Sequence, residues 1–214
     1  MKSPYPLWRN WFNSDAVAAE MSVGVILLAG GRSRRFGADK RLTEFLPGKT
    51  LLEATLKNIS LSQLELLVCL RADDQILEEK LNSAGISCQR CSTADQGIGA
   101  TLSESIAHIP AWSGVLIALA DMPWIQPATF RSVAQHTSLE NICIPTFSNQ
   151  RGHPVGFGRD FFNDLETLND DRGARSIINK YAHMIKTLPT DDKGILRDVD
   201  RPDDIGKSCV SPKL

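Results

Sequence analysis

The sequence predicts an α/β fold in three layers, a mostly parallel sheet covered by helices on both faces. Apolar runs suited to strands recur at Val23–Leu28, Leu64–Leu70, Ile86–Cys91, Val115–Ala120 and Asn141–Ile144. Helical patterns and helix-start residues fill the gaps, and the connections are short. The resulting order, β-α-β-α-β-α-β-α-β, is the alternation that builds a parallel sheet with right-handed crossovers.

The first run, Val23 to Leu28, is rich in β-branched and apolar residues, as expected of a strand buried on both sides. From Thr50 to Leu61, Leu51, Leu52, Thr55, Leu56 and Ile59 recur on one helical face, with Thr50 as the cap. Asp73 or Asp74 starts a second helix that runs to about Ser83 and stops at Gly85. Gln96 to Ser103 is a glycine-rich turn into a third helix reaching about Ile109. Pro127 suits the first turn of a fourth, which runs to about His136.

The last third is less regular. Gly152 to Phe157 reads as a loop entering a short strand, Asp160–Leu168 and Ala174–Tyr181 as helices, and Met184–Leu188 and Ile195–Val199 as strands. Pro202 to Ile205 begins a closing helical turn. No internal repeat or flexible linker divides the chain. The expected organisation is an N-terminal extension over 1–21, a single domain over 22–208 and a tail over 209–214.

Composition narrows the classes. The 214 residues are 42% hydrophobic and 23% charged, which suits a globular domain with a sizeable core. Net charge is −1, with 24 basic and 25 acidic residues, so neither nucleic acid nor a membrane surface is the expected partner. No apolar run approaches the roughly 20 residues of a membrane helix. Residues 1–20 hold Trp8, Trp11 and Phe12 but lack a basic segment followed by an apolar one, which is not the pattern of a signal peptide. Five cysteines, an odd number, fit reduced thiols in the cytoplasm. Cys88-Gln89-Arg90-Cys91 is a CxxC without the second pair that a zinc site needs.

Chemistry concentrates where strands end. After Leu28 comes Ala29-Gly30-Gly31-Arg32-Ser33-Arg34-Arg35-Phe36-Gly37-Ala38-Asp39-Lys40. Paired glycines open the backbone to a ligand, and Arg32, Arg34, Arg35 and Lys40 supply cations, so the stretch reads as a polyphosphate cradle. Gly48-Lys49-Thr50 is not a P-loop, because Thr43 stands where its first glycine belongs. The turn from Gly97 to Thr101 follows the third strand, and Asp121 ends the fourth. A carboxylate at such a strand end faces the ligand crevice of an open sheet and suits Mg²⁺. Asp198 and Asp200 share one side of an extended segment, and Asp200, nearest its end, is the expected second ligand. His153, held between Gly152 and Pro154, is a candidate substrate contact, and Arg175 at a helix start is a cation suited to an anion.

These residues resemble the molybdenum-cofactor nucleotidyltransferases, within the Rossmann-like nucleotide-diphospho-sugar transferase fold. Besides the Leu28–Lys40 stretch, the resemblance rests on Gln96 to Leu102, Asp121-Met122-Pro123, Arg151 to Val155, Asp171 to Arg175 and Asp200 to Asp204, in the family's order, over roughly 22–206. It implies that the terminal phosphate of molybdopterin attacks the α-phosphate of CTP or GTP and releases pyrophosphate. It also implies that Leu28, Ala29, the Gly30/Gly31 backbone and Arg35 hold the phosphates and that Lys40 neutralises charge at the α-phosphate. Gly97 and Thr101 would meet base or ribose, Asp121 and Asp200 would hold Mg²⁺, and Gly152, His153, Pro154 and Arg175 would line the acceptor side. Lys40, Arg35 and Asp121 would form the catalytic set. A molybdenum-containing oxidoreductase would receive the product.

Gly30-Gly31 and Asp39 look like the guanylyl branch; Gln96 to Ser103, Gly152-His153-Pro154 and Asp171 to Arg175 look like the cytidylyl branch. More of the chain matches the latter, so CTP is the expected nucleotide, and Gly31→Ala is expected to move base preference toward cytidine. Phe36 stands for the usual Met and Asp170 for a common Gly. The alternatives are a sugar or polyol phosphate acceptor, and a non-catalytic carrier of the cofactor.

Overall fold

A computed structural model describes residues 22–33 and 36–206. The predicted extension and tail fall outside these residues, as do Arg34 and Arg35.

The strands are β1 (Val23–Leu28), β2 (Glu44–Leu46), β3 (Lys49–Thr50), β4 (Leu66–Arg71), β5 (Cys88–Cys91), β6 (Gly114–Leu119), β7 (Ile142–Phe147), β8 (Gln150–Arg151), β9 (Val155–Gly158) and β10 (Ile185–Pro189). The α-helices are α1 (Leu51–Ser60), α2 (Gln75–Ser83), α3 (Ile98–Ile106), α4 (Pro127–His136), α5 (Phe162–Glu166), α6 (Arg175–Lys180) and α7 (Pro202–Gly206). The main sheet runs β10-β7-β9-β6-β1-β4-β5, with β8 against β7. β1 lies at its centre, parallel to β6 on one side and β4 on the other. β2 and β3 form a separate antiparallel hairpin.

Alternation along β1 explains the layers. Val25 and Leu27 point to one face and pack with Leu52, Leu56 and Ile59 of α1, Leu81 of α2 and Phe130 and Val133 of α4. Ile26 and Leu28 point to the other and pack with Leu102 and Ile106 of α3, Leu165 of α5 and Ile177 of α6. This is the three-layer α/β/α sandwich with a mostly parallel sheet that the sequence predicts. Thr50 caps α1 in a reciprocal box: its hydroxyl accepts from the Glu53 N–H and the Glu53 carboxylate accepts from the Thr50 N–H. Gly85, at φ 75°, follows the end of α2.

Three local expectations are corrected. The strand expected at Ile195–Val199 is a 3-10 turn, Lys193–Leu196, followed by extended chain. Asp192 caps that turn by accepting from the Gly194 N–H, and Gly194 packs so closely that a Cβ would meet the Trp124 carbonyl at 2.3 Å. The single helix expected at Asp160–Leu168 is instead a 3-10 turn, Arg159–Phe161, leading into α5. β9 is antiparallel and is inserted between β6 and β7, so those two strands are not direct neighbours. The CxxC lies within β5, where residues three apart face opposite sides: Cys91 packs into one apolar layer and Cys88 against the other. Among the described residues no helix is long and apolar enough to cross a membrane.

Candidate active site

A cleft of about 560 Å³ opens over the carboxyl ends of β1 and β6. Leu28, Ala29, Gly30, Gly31, Lys40, Gly97, Thr101, Asp121 and Asp200, predicted separately as site residues, all line it. Arg35 lies outside the described residues. Gly152, His153, Pro154 and Arg175 stand apart from this lining.

One wall is the loop after β1. The Ala29 N–H donates to the Cys69 carbonyl at 2.9 Å, which ties the loop's first residue to β4. Neither of the paired glycines takes the left-handed backbone that glycine permits. Positive φ occurs at Gly37, Gly48, Gly85, Gly97 and Gly173, not at Gly30 or Gly31. Gly30 is a close-approach position, because a Cβ would lie 3.2 Å from Cβ of Ala94; at Gly31 a Cβ would meet nothing within 4 Å. Arg32 reaches over to Asp95 in a two-pronged ion pair, its Nη2 donating at 2.6 Å.

The facing wall is the turn into α3. Gly97 has φ 125°, a backbone region side chains rarely enter, and a Cβ there would lie 2.8 Å from Cα of Asp171. The Gly99 N–H donates to the Asp170 carbonyl at 2.8 Å. The glycines thus let the 170–173 segment dock on the start of α3, which brings Asp171 into the cleft lining.

At the floor, Lys40 reaches away from its own loop. Its Nζ donates to Asp121 Oδ2 at 2.7 Å and to the Val199 carbonyl at 2.8 Å, and lies 3.7 Å from Asp200 Oδ1. The Val199 N–H donates to the Asp121 carbonyl at 2.9 Å and pins the Asp198–Asp200 segment to the end of β6. Asp198 and Asp200 therefore both approach Asp121, although no strand aligns them. Carboxylate oxygens of Asp121, Asp198 and Asp200 lie within 4.8 Å of one another. Burial, then the neighbouring charges of Asp121 and Asp200, push the Asp198 carboxyl above its ordinary range. Asp121 Oδ1 is buried and accepts no hydrogen bond. An unsatisfied carboxylate oxygen facing two further carboxylates is the donor set of a hard divalent cation, and these residues fit one.

Around the corner, His153 follows Gly152, whose Cβ position would lie 2.4 Å from the Ile195 carbonyl, and the His153 N–H donates to that same carbonyl at 3.0 Å. Burial, with a contribution from Arg175, holds its imidazole below the usual value, while Asp121 pulls the other way. The charges of Asp121 and Arg175 thus both reach the His153 imidazole.

Sequence reasoning did not anticipate Arg41. It is 3% exposed, and its guanidinium joins Asp39, Asp74 and the Ala29 carbonyl. Burial disfavours ionised Asp74, but hydrogen bonds from Arg41 and Arg71 outweigh it and hold the carboxyl at about 2. The sequence signal was Asp39 and Arg41 on either side of Lys40, which reads as surface charge when partners are unknown.

The MobA-like NTP transferase domain family matches residues 25–185. No curated protein matches the chain in sequence. Rv0371c from Mycobacterium tuberculosis H37Rv is similar in structure at 26% identity and TM-score 0.71, covering 87% of this chain and 97% of that one. A nucleotidyl transferase from Methanothermobacter thermautotrophicus, Mth528, is similar at 20% identity and TM-score 0.74, covering 88% and 95%. Molybdopterin-guanine dinucleotide biosynthesis protein A from Archaeoglobus fulgidus is similar at 20% identity and TM-score 0.60, covering 86% and 95%. The fold is that of the nucleotide-diphospho-sugar transferases. With the family matched across the cleft's β1, α3 and β6 elements, the chain belongs to the MobA-like NTP transferase domain family.

Proposed function

We propose that this protein transfers a nucleoside monophosphate from CTP, or from GTP, to the terminal phosphate of molybdopterin, with release of pyrophosphate and with Mg²⁺ as cofactor. The observation that carries the reading is the meeting of Lys40, Asp121 and Asp200 at the floor of one glycine-walled cleft, with Asp121 Oδ1 left without a partner. Nucleotidyl transfer needs little covalent chemistry from the protein. It needs an aligned acceptor and neutralised phosphate charge. In this reading the Gly30 and Gly31 backbone and Arg35 bind the β- and γ-phosphates. Lys40 places its ammonium by the α-phosphate, and Gly97 and Thr101 contact ribose or base. Asp121 and Asp200, joined by Asp198, hold the cation, which when bound withdraws charge from the phosphate oxygens. His153, beside Gly152 and Pro154, and Arg175 orient the acceptor from the side of Asp121. The crystal structure of Rv0371c in complex with manganese supports a divalent cation for this class of fold.

A second reading, a sugar or polyol phosphate as acceptor, is supported by the 4-diphosphocytidyl-2C-methyl-D-erythritol synthase of Anaerococcus prevotii, similar at TM-score 0.66 and 14% identity. The test is pyrophosphate release from CTP and from GTP, with Mg²⁺ and molybdopterin or a panel of sugar and polyol phosphates. Release that depends on molybdopterin supports the first reading, release with another acceptor replaces it by the second, and release with none rejects both in favour of a carrier. In the same samples Mg²⁺ or Mn²⁺ at a hundredfold excess over its dissociation constant is expected to stabilise the fold by about 2.7 kcal/mol. An unchanged melting temperature would remove the cation from the site.

A further inference from the structure

We propose that Arg41 is the positioning residue of this site: its buried guanidinium fixes the loop after β1 from below and thereby aims both Lys40 and the Gly30 N–H into the cleft. The proposal rests on the nucleotidyl-transfer reading of the cleft.

Lys40 and Arg41 are neighbours in one 3-10 turn, Lys40–Leu42, and reach in opposite directions. Lys40 crosses to Asp121 and Val199. Arg41 turns back under β1 and β4. Its Nε donates to Asp39 Oδ1 at 2.9 Å, Nη2 to Asp39 Oδ2 at 2.6 Å and to Asp74 Oδ1 at 2.8 Å. Its Nη1 donates to Asp74 Oδ2 at 2.5 Å and to the Ala29 carbonyl at 2.6 Å. A guanidinium has five N–H donors, and here each has an acceptor, so the group has one orientation available.

Two consequences follow for the chemistry. A lysine side chain is long and flexible, so its ammonium is placed only as well as its backbone is held. The Lys40 backbone is held on one side by Asp39, which accepts from the Arg41 N–H at 3.2 Å as well as from the Arg41 side chain. On the other side, the Lys40 N–H donates to Ser33 Oγ at 3.3 Å. The second consequence concerns the peptide between Ala29 and Gly30. It is planar and trans, so its N–H points opposite to its carbonyl. By pulling the Ala29 carbonyl down, Arg41 directs the Gly30 N–H away from itself. One buried cation thus sets two phosphate-binding groups that belong to different parts of the loop. A lysine at this position would keep the charge but not the fork.

The experiment uses the full chain and the variants Arg41→Lys and Asp74→Asn, the second in case the first fails to fold. Pulsed acylation with acetic anhydride, read by mass spectrometry, reports the reactivity of each lysine without any turnover. In either variant Lys40 is expected to react several-fold faster, while the exposed Lys49 and Lys57 keep their wild-type rates. Equal acceleration of all lysines would show a merely structural role, and unchanged Lys40 reactivity would overturn the proposal outright. The second arm is a double-mutant cycle on pyrophosphate release. Arg41→Lys is expected to lower kcat about tenfold in the wild-type background and hardly at all in a Lys40→Ala background, the coupling expected of residues that act as a unit. Equal falls in both backgrounds would mean that Arg41 does not act through Lys40. If wild type releases no pyrophosphate with any acceptor, the nucleotidyl-transfer reading fails, while the acylation result still decides whether Arg41 holds Lys40.

Discussion

Two clusters of charge sit at the carboxyl ends of neighbouring strands and are built on opposite plans. Under β1 and β4, Arg41 and Arg71 face Asp39 and Asp74 at 2.5 to 3.0 Å, and all five donors of Arg41 are used. At the end of β6, three carboxylates crowd together with one ammonium, Lys40, among them, and a buried oxygen of Asp121 goes without a partner. Folding rarely leaves buried polar groups unsatisfied unless a ligand completes them. The first cluster sets two guanidinium groups against two carboxylates, and its own unbonded atom, Arg71 Nε, still lies 3.6 Å from Asp73 Oδ1, so it is scaffold; the second has three carboxylates to one ammonium and is where chemistry is expected. The two share one short turn, since Lys40 belongs to one and Arg41 to the other.

The sharpest break in this comparison is Asp121→Ala. If the carboxylate serves the reaction, turnover falls by on the order of 10³-fold or more, equivalent to several kcal/mol of lost charge stabilisation, with the circular dichroism spectrum intact. Global unfolding would instead make Asp121 structural and erase the distinction. The converse is Arg41→Met, which leaves Asp39 and Asp74 with only the Arg71 guanidinium. Removing one partner of a buried ion pair costs about 3–5 kcal/mol, so urea unfolding should show a loss of that order. A loss below about 1 kcal/mol would mean that the cluster is no better than a surface ion pair.

Acid sharpens the same contrast. Asp74 titrates at about 2 in the folded protein, below the 3.8 of an ordinary aspartate. A depressed folded value means that the stabilisation is complete above about pH 4 and drains away as pH falls toward 2, amounting to about 2 kcal/mol. Arg71 also donates to Asp74, so unfolding free energy measured from pH 5 down to pH 2 should fall more in wild type than in Arg41→Met, by part of that amount. Parallel curves would place the acid sensitivity elsewhere.

Legibility in the sequence followed the range of the interactions. β1, β6, α1 and α4 were readable because period, caps and proline placement are local. So was Thr50 as a cap, since its partner Glu53 is three residues away. Asp200 was expected near Asp121 from strand alternation, but Ile195–Val199 is not a strand. The two meet because the Val199 N–H bonds the Asp121 carbonyl, a contact no periodicity announces. β9 was legible as a short strand but not as an antiparallel one inserted between β6 and β7. Arg41 was invisible for the same reason: Asp39 is a local acceptor, but the two that bury it lie 12 and 33 residues away in sequence, at Ala29 and Asp74.

The smallest effect addresses the base. Gly30 and Gly31 are adjacent in sequence and unlike in surroundings. A methyl at Gly30 would press on Ala94 at 3.2 Å, next to the Asp95 that Arg32 grips, whereas a methyl at Gly31 would meet nothing within 4 Å. Gly30→Ala therefore disturbs the wall of the cleft and is expected to weaken CTP and GTP alike. Gly31→Ala leaves the protein's packing untouched, so a change in selectivity would come from the methyl meeting the nucleotide. One methyl discriminates by about 1–3 kcal/mol at most when fully enclosed, and Gly31 is exposed, so the expected change is about tenfold in the ratio of kcat/KM for CTP over GTP, in favour of CTP. An unchanged ratio with unchanged affinity would show that Gly31 does not face the nucleotide. Base choice would then lie with the opposite wall, where Gly97 and Asp171 line the cleft.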